Sequence, residues 1–528
     1  MQLYNTESGR KETFEPMGDV VKMYVCGLTP KNEPHLGHAR VFVVNDTLRR
    51  YLAYRGYKVR YIQNFTDIDD KIIAAGQREG IPPFEAAKRY TESYFRDMGR
   101  IGVQPADEFT YVTQYIPQII EMVAGLIEKG HAYVVDGDVF FSVPSFPSYG
   151  RLSGRDEKAM RAGARIEEDP RKRDPRDFAL WKAAKPGEPW WESPWGKGRP
   201  GWHIECSTMA MSALGERIDI HGGGSDLIFP HHENEIAQSE SYSGKAPFSR
   251  YWVHTGMLSL PAAGDGPAPQ EELEEEAVEE TEAHEAEAVA RASRGARELA
   301  PEVTKMAHSG AFVTITSTLA SGDIPPMALR TYLLGQHYRA NLVYSEEQLR
   351  ATVVRWRRWA ETRANTERVI LWADGQRIEA GAENGEAAAL SASATAARDE
   401  FIAAMDDDLN TSRALSVIDE LAHRINDYAT GLRAHELSPD SAPALRNALD
   451  TLIELTGALG ISLDEEPRAG GLTEADREEI ETLVKKRDEA RTARDWATAD
   501  SIRKELEERF NVIVKDTPQG AVWSVKEG

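Results

Sequence analysis

The segment that most restricts the fold runs from Lys22 to Asn64. "KMYVCGL" is a short apolar run of strand type, and "TPKNEPHLGH" after it is rich in turn residues. "ARVFVVNDTLRRYLAYRG" is amphipathic and ends on Gly56, a residue suited to closing a helix. "YKVRYIQNF" is a second strand-like run. Strand, helix and strand within about 40 residues make a βαβ unit, which commits the chain to a parallel sheet. Such sheets bind ligands beyond the carboxyl ends of their strands, where "HLGH" and "NFTDIDD" lie. The predicted class is α/β, built on a Rossmann-like parallel-sheet catalytic domain.

Residues 1–71 and 201–325 are predicted to form the two halves of that domain. The second half returns with "GWHIECSTMAMSAL", "IDIHGGGSDLIFPHHENEIAQSESYS" and "YWVHTGMLSL". Residues 72–200 read as an insertion between the halves. It holds a β-ribbon, "HAYVVDGDVFFSV", whose "DGD" suits a tight turn. Residues 261–303 open with Pro, Gly and Ala and continue as an acidic, low-complexity stretch. Few apolar residues and repelling charge predict a solvated insertion with no core of its own. From 326 to 463 apolar residues recur at helical spacing, as in "ARDEFIAAMDDDLNTSRALSVIDELAHRINDYATGL", and predict an α-helical bundle. "ADGQRIEAGAENGEAAALSASAT" reads as a polar loop interrupting it. Residues 471–528 read as a small C-terminal module, a helix pair followed by "FNVIVKDTPQGAVWSVKEG".

The formal net charge of -23 argues against nucleic-acid binding by the chain as a whole. Much of that charge sits in the acidic block, however, so local basic patches remain possible elsewhere. No apolar run approaches the ~20 residues that span a bilayer. The polar start, "MQLYNTESGRKETF", has no signal-peptide core, so a cytoplasmic protein that binds no membrane is expected.

Only two cysteines occur, Cys26 and Cys206. They are either buried free thiols or a pair of metal ligands. His231 and Glu235 stand four apart in "HHENE", so on a helix they share a face, and His232 and Glu233 then point elsewhere. Two thiolates, an imidazole and a carboxylate make a tetrahedral zinc set, although each residue alone also has a purely structural explanation. "PHLGHAR" places His35 and His38 about Gly37 at the entry to a helix, whose N-terminus favours phosphate. Gly37 permits close approach of a substrate. "GGGSD", from Gly222 to Asp226, offers backbone at a strand end for a ribose or adenine, or is an ordinary glycine turn.

Taken together, "MYVCGLT", "PHLGHAR", "NFTDIDDKI", "GWHIECSTM", "DIHGGGSDLIFPHHENEIAQSE", "LLGQHYRANLVYSEEQL", "AMDDDLNTSRAL" and "KDTPQGAVW" resemble the cysteinyl-tRNA synthetases, of class I. They stand in that family's order and cover nearly the whole chain except the acidic block. The resemblance implies one zinc per chain, on Cys26, Cys206, His231 and Glu235, with His232 and Glu233 as its neighbours. It implies that Thr29, Asn64, Thr66, Trp202, Gly224 and Asp226 line a cysteinyl-adenylate pocket, and that His35 and His38 contact ATP phosphates. Lys305 and His308 fall in the family's second catalytic loop. Mg²⁺ would accompany ATP, and the partners would be ATP, L-cysteine and tRNA(Cys), with a monomer expected. The C-terminal module would read the anticodon, with Lys485, Lys486, Arg487, Arg491 and Arg494 available to phosphates.

Two stretches depart from the family pattern. "TPKN" puts Lys31 and Asn32 where the family has Tyr and Asp. The KMSKS-type loop reads "KMAHSGAF" from Lys305 to Phe312, with His308 in place of the second lysine. The alternatives are a mycothiol-pathway cysteine ligase, which lacks the C-terminal module, and a degenerate paralogue with weak activation.

Overall fold

The computed structural model describes residues 1–154, 169–261, 303–305, 313–376, 385–433, 435, 437–464, 474–510, 512–517 and 520–525. Most of the acidic block and residues 306–312, His308 among them, lie outside the described residues. Two units are distinguished. The first comprises residues 1–318, 332–348 and 404–412, and the second 319–331, 349–403 and 413–528.

In the first unit, β1 (Gln2–Asn5) and β2 (Arg10–Thr13) pair antiparallel and lead to β3 (Val20–Leu28). There follow α1 (Leu36–Tyr54), β4 (Lys58–Phe65), α2 (Asp70–Glu79), α3 (Pro83–Arg100) and β5 (Glu108–Tyr111). α1 begins where His35, in extended backbone, accepts from the amides of Gly37 and His38. It ends before Gly56, whose φ of 85° is left-handed and open to glycine without strain.

After α4 (Ile116–Glu128) come β6 (Ala132–Val135), β7 (Asp138–Phe141), β8 (Phe178–Ala183) and β9 (Gly198–Pro200), a four-stranded antiparallel sheet. The β6–β7 turn is the expected tight one, with Asp136 and Gly137 both at positive φ. The chain then returns through α5 (Trp202–Leu214), β10 (Ile218–Gly224), α6 (Glu233–Ser243) and β11 (Ser249–Thr255).

The central sheet has the order β11-β10-β3-β4-β5, and every adjacent pair is parallel. β5 lies inside the stretch read as an insertion, yet it pairs with β4 from Ile62↔Glu108 to Phe65↔Tyr111. "EFTY" is short and half polar, so it gives little strand signal, and hydrogen bonding to β4 decides its place. Chain order runs outward from β3 in both directions, so the switch point falls between β3 and β10. Tyr24, Cys26, Ile62, Trp181, Ile204, Cys206, Ile218, Ile236 and Trp252 are buried in one apolar cluster around it.

One close approach shapes β3. Its register with β4 shifts between Val25 and Leu28, and Gly27 lies against the β4 backbone. A Cβ there would stand 1.6 Å from the Asn64 carbonyl oxygen. Gly27→Ala must therefore push two strands apart, and is expected to lower stability by about 3 kcal/mol, since overpacking against backbone has no flexible group to yield. Thermal unfolding of the variant beside wild type measures this, and an unchanged midpoint would contradict it.

The first unit also holds β12 (Leu258–Pro261) and β13 (Val303–Lys305), which pair antiparallel. A short helix α7 (Ile315–Leu319) and a helix α8 (Pro326–Leu333), most of which belongs to the second unit, come before β14 (Leu342–Val343), which is parallel to β12.

The helical segment comprises α9 (Glu346–Asp374), α10 (Gly385–Asp406), α11 (Thr411–Gly431) and α12 (Ser441–Ala458). Of the described residues in the polar loop read at "ADGQRIEAGAENGEAAALSASAT", most are helical, and residues 377–384 lie outside the described residues. α9 continues to Asp374 and α10 resumes at Gly385. Alanine has the highest helix propensity, and Ala387, Leu390 and Ala394 are buried, so the small residues pack instead of looping. The C-terminal module has α13 (Glu474–Thr492), α14 (Trp496–Phe510) and an antiparallel hairpin of β15 (Val512–Thr517) and β16 (Gly520–Val525). Ile480, Val484, Leu506, Phe510 and Val512 form its own small core.

Candidate active site

Four donors converge at the carboxyl end of β3. Cys26 closes the inner part of that strand, Cys206 lies on α5, His231 just precedes α6, and Glu235 sits in the first turn of α6. Their ligand atoms all lie within 4.8 Å of one another, and all four residues are buried. The sulfurs are 3.6 Å apart, Cys26 Sγ is 3.4 Å from Glu235 Oε1, and His231 Nε2 is 3.1 Å from the same oxygen. A tetrahedral zinc with bonds of about 2.3 Å to sulfur has sulfur–sulfur edges of about 3.8 Å, so the donor set fits that ion in both chemistry and spacing.

The electrostatics favour a cation as well. A hydrogen bond from Cys26 lowers the Cys206 thiol to about 6 against the effect of burial. Burial opposes ionisation of Glu235, but His221 and His231 outweigh it and hold the carboxyl at about 2. Burial opposes protonation of His231, yet Cys206 and Glu235 raise it to about 10. Burial, then Cys206 and Glu235, push the Cys26 thiol well up. Without a metal, protons on Cys26 and His231 offset the negative charge that a divalent ion would neutralise.

His232 belongs to this cluster and does not point elsewhere. Residues three and four apart both face one side of a helix, so Glu235 meets His232 as well as His231. His232 Nε2 lies 3.3 Å from Cys26 Sγ and 3.9 Å from Glu235 Oε1, and its Nδ1 lies 2.7 Å from His254 Nε2. A second donor set therefore overlaps the first: Cys26, His221, His232 and Glu235. Glu233 does turn away, accepting from the backbone amides of Gly150 and Ser153.

Sequence reasoning missed three histidines here. His221 Nε2 lies 2.9 Å from Glu235 Oε2, while its buried Nδ1 has no partner. His203 Nδ1 lies 2.9 Å from His231 Nδ1, and His254 Nδ1 contacts the Thr6 hydroxyl at 2.8 Å. The available signal for two of them was position: "IDIHGGG" puts a histidine near the end of β10, which flanks the switch point, and "YWVHTG" puts one near the end of its neighbour β11.

Most of the residues expected to line a cysteinyl-adenylate pocket stand at or just beyond the ends of these strands. Thr29 follows β3. Asn64 is the penultimate residue of β4, with its Oδ1 accepting from Gly27 N at 2.8 Å. The Thr66 hydroxyl donates to Glu205 at 3.1 Å. Trp202 opens α5, with its ring 4.3 Å from that of His231. Gly224 ends β10, and Asp226 lies in the turn after it.

At the start of α1 the His35 and His38 rings stack with centroids 3.6 Å apart. A Cβ on Gly37 would lie 2.9 Å from the His35 ring, so glycine keeps that stack open. His35 Nδ1 accepts from Gly37 and His38 amides, and His38 Nδ1 accepts from the His35 amide. Burial and then Lys31 lower His35 to about 4, and burial, His35 and Lys31 hold His38 well below the usual imidazole range. Both rings are thus neutral at pH 7, with Nδ1 committed as an acceptor. Each must carry its proton on Nε2, where it is a donor fit for a phosphate oxygen.

In "TPKN", the Lys31 amide donates to the Thr29 carbonyl, and Asn32 Oδ1 accepts from Arg78 at 3.0 Å. Lys305 ends β13, opposite Ser259. Of the five basic residues on the C-terminal module, Lys485, Lys486 and Arg494 are exposed and Arg491 half-buried, but Arg487 is buried beside Asp488 and is not offered to phosphates. Its place on the inner face of α13 overrides the charge pattern.

Comparison with known proteins agrees with this arrangement. The family model described as the tRNA synthetases class I (C) catalytic domain matches residues 13–263. The DALR domain matches 400–464, and the cysteinyl-tRNA ligase anticodon binding domain matches 476–523. A cysteine–tRNA ligase of Heliobacterium modesticaldum is 43% identical over 99% of both chains, and one of Moorella thermoacetica is 44% identical over 99% of both. Among solved structures, Mycobacterium tuberculosis methionyl-tRNA synthetase in complex with methionyl-adenylate superposes with a TM-score of 0.57 at 16% identity, covering 84% of this chain and 90% of that one, a likeness of fold. A parallel sheet with its donors at the switch point, the three domain matches and full-length identity above 40% lead to one assignment: the chain belongs to the cysteine–tRNA ligase family of class I synthetases, which charge tRNA(Cys).

Proposed function

We propose that this ligase selects L-cysteine through a zinc ion on Cys26, Cys206, His231 and Glu235, and activates it with ATP beside His35 and His38. The observation that carries the reading is the convergence of four buried donors at the sheet's switch point. Bound zinc supplies a soft Lewis acid with affinity for a thiolate that a serine hydroxyl does not match. Size alone would separate the two amino acids by only ~1–3 kcal/mol.

The chain's own residues do the rest. His203 fixes the His231 ring through Nδ1, leaving Nε2 toward the donor cluster. Trp202, whose ring lies 4.3 Å from that of His231, is read together with Thr29 and Thr66 as lining the cysteinyl-adenylate pocket. The neutral His35 and His38 direct Nε2–H groups at ATP phosphates, and the start of α1 adds its dipole. The cysteine carboxylate then attacks the α-phosphate of ATP and pyrophosphate leaves; the terminal ribose hydroxyl of tRNA(Cys) next attacks the cysteinyl carbonyl of the adenylate, and AMP leaves. Zinc content, ATP–pyrophosphate exchange with cysteine against serine, and charging of tRNA(Cys) test the whole sequence. A chain that exchanges equally with serine would contradict zinc selection.

The C-terminal match to an anticodon binding domain separates this reading from that of the mycothiol-pathway ligase, which lacks such a module. Removing residues from 471 onward is expected to leave cysteine-dependent exchange near wild type and to reduce charging by about 10²-fold, because phosphate contacts set the tRNA's register and much of its affinity. Full-rate charging by the truncated chain would show the module to be misread.

A further inference from the structure

α1 carries a buried cation of unusual company. Arg40 stands two residues after His38 and is 0% exposed. Its Nη1 donates to the carbonyls of Gly256 and Met257, each at 3.0 Å, and its Nη2 to those of His337 at 3.2 Å and Ala340 at 2.6 Å. Its Nε is buried without a partner. Among the described residues its partners are four backbone carbonyls and no carboxylate. Burying a guanidinium against dipoles alone carries a large desolvation cost, and an apolar side chain of the same size would fill the space without it. What the rigid planar fork supplies is geometry: it holds two crossing backbone segments to one helix at once.

Both segments lead toward Lys305 and its strand pairing. Met257 passes directly into β12, which pairs with β13 so that Ser259 lies opposite Lys305. The 337–340 segment passes into β14, the parallel neighbour of β12. On the far side of residues 306–312, the chain is tied to the same helix again. Leu36 N donates to the Val313 carbonyl at 3.0 Å, Ile315 N to the Pro34 carbonyl at 3.4 Å, and His35 bridges to Thr314. The two flanks of the "KMAHSGAF" motif are thus fastened to the first turns of the helix that bears His35 and His38.

We propose that Arg40 is a positioning residue for cysteine activation, whose four carbonyl bonds hold β12, and through it the backbone of Lys305, in register with His35 and His38. The proposal rests on the reading of those three residues as the ATP site. It assigns Arg40 no contact with cysteine or with the metal cluster.

The test uses the full-length, zinc-loaded enzyme with Arg40→Lys, Arg40→Met and Asn341→Ala. Lysine keeps the charge but cannot span four carbonyls, and methionine keeps only the bulk. Asn341 Oδ1 accepts from Met257 N at 3.0 Å on the exposed side of the same crossing, so its loss is a milder disturbance that leaves the core intact. In ATP–pyrophosphate exchange, Arg40→Lys is expected to lower kcat by about 10²-fold, as small misplacements of catalytic groups do, with the KM for cysteine and the zinc content within about twofold of wild type. Arg40→Met should fall further, and Asn341→Ala should show the same split at about threefold. Zinc and cysteine KM changing in proportion to kcat would mark a merely structural role and overturn the proposal, as would wild-type exchange in Arg40→Met. If the Arg40 variants do not fold, Asn341→Ala decides alone, since an unchanged kcat there overturns the proposal. A wild type with no exchange overturns the ATP-site reading and this proposal together, whereas normal wild-type exchange with unaffected variants overturns only the role of Arg40.

Discussion

Cys206→Ser is expected to yield a folded chain with almost no zinc, and one that activates cysteine hardly at all. Changing a neighbour that merely orients a ligand costs 10–100-fold in affinity or activity, so removing a ligand should exceed about 10²-fold in kcat/KM for cysteine. Cys206 is the thiolate of the buried sulfur pair, lowered by its hydrogen bond from Cys26, and serine at that place offers a hydroxyl that stays protonated. His231→Ala should behave alike. His232→Ala is the informative companion, because two donor sets share Cys26 and Glu235. With the ion on Cys206 and His231, His232→Ala keeps most of the zinc and loses about tenfold in affinity as an orienting neighbour. Zinc lost from His232→Ala and His221→Ala but retained by His231→Ala would place the ion in the other set. Metal analysis of the purified variants reads the result directly.

His38→Ala is expected to lower the exchange rate by about 10²–10³-fold, the usual cost of removing one donor aimed at developing charge. His35→Ala should cost as much or more, since it also removes the acceptor that caps α1. The sign of any pH effect follows from their protonation. His35 becomes charged only as pH falls through about 4, and burial holds His38 well below the usual imidazole range, so neither contributes a slope between pH 6 and 8. A rise in activation toward pH 6 must then come from another group. His308, with an unperturbed pKa of ~6.5, is the one that replaces a lysine in the family motif. His308→Lys should abolish the rise and match or exceed the wild-type rate at pH 8. A flat profile together with a strongly impaired His308→Lys would show that the loop works without a second cation.

The βαβ start was legible because it combines three local signals that agree: two apolar runs, an amphipathic helix and its glycine stop. β5 was not, because four residues of "EFTY" owe their strand to a neighbour that the sequence does not display. The helix at Gly385 was hidden for a related reason. Small residues look like loop until the surface they bury is known, as Ala387 and Ala394 show. At the site, "HHENE" announced a helix face, yet counting only the i, i+4 pair left out His232. His221 could not be found by periodicity, since all seven residues of β10 are buried and alternation carries no information there. Arg40 was invisible for the opposite reason: a lone arginine on an amphipathic helix reads as solvated face, and only the crossing of two distant segments draws it inside.

The donors of the metal cluster come from the two ends of a long interval: Cys26 and Glu235 meet although 209 positions separate them in sequence. On the ribosome, this site cannot exist until the last of its donors has emerged and the sheet has closed around β3 and β10. An ion held there is therefore captured by a finished domain and not by a nascent one. On the proposed zinc reading, metal supply would then act on mature protein: chains made without zinc would fold but stay empty, and a shortage of one ion would become a shortage of charged tRNA for one amino acid.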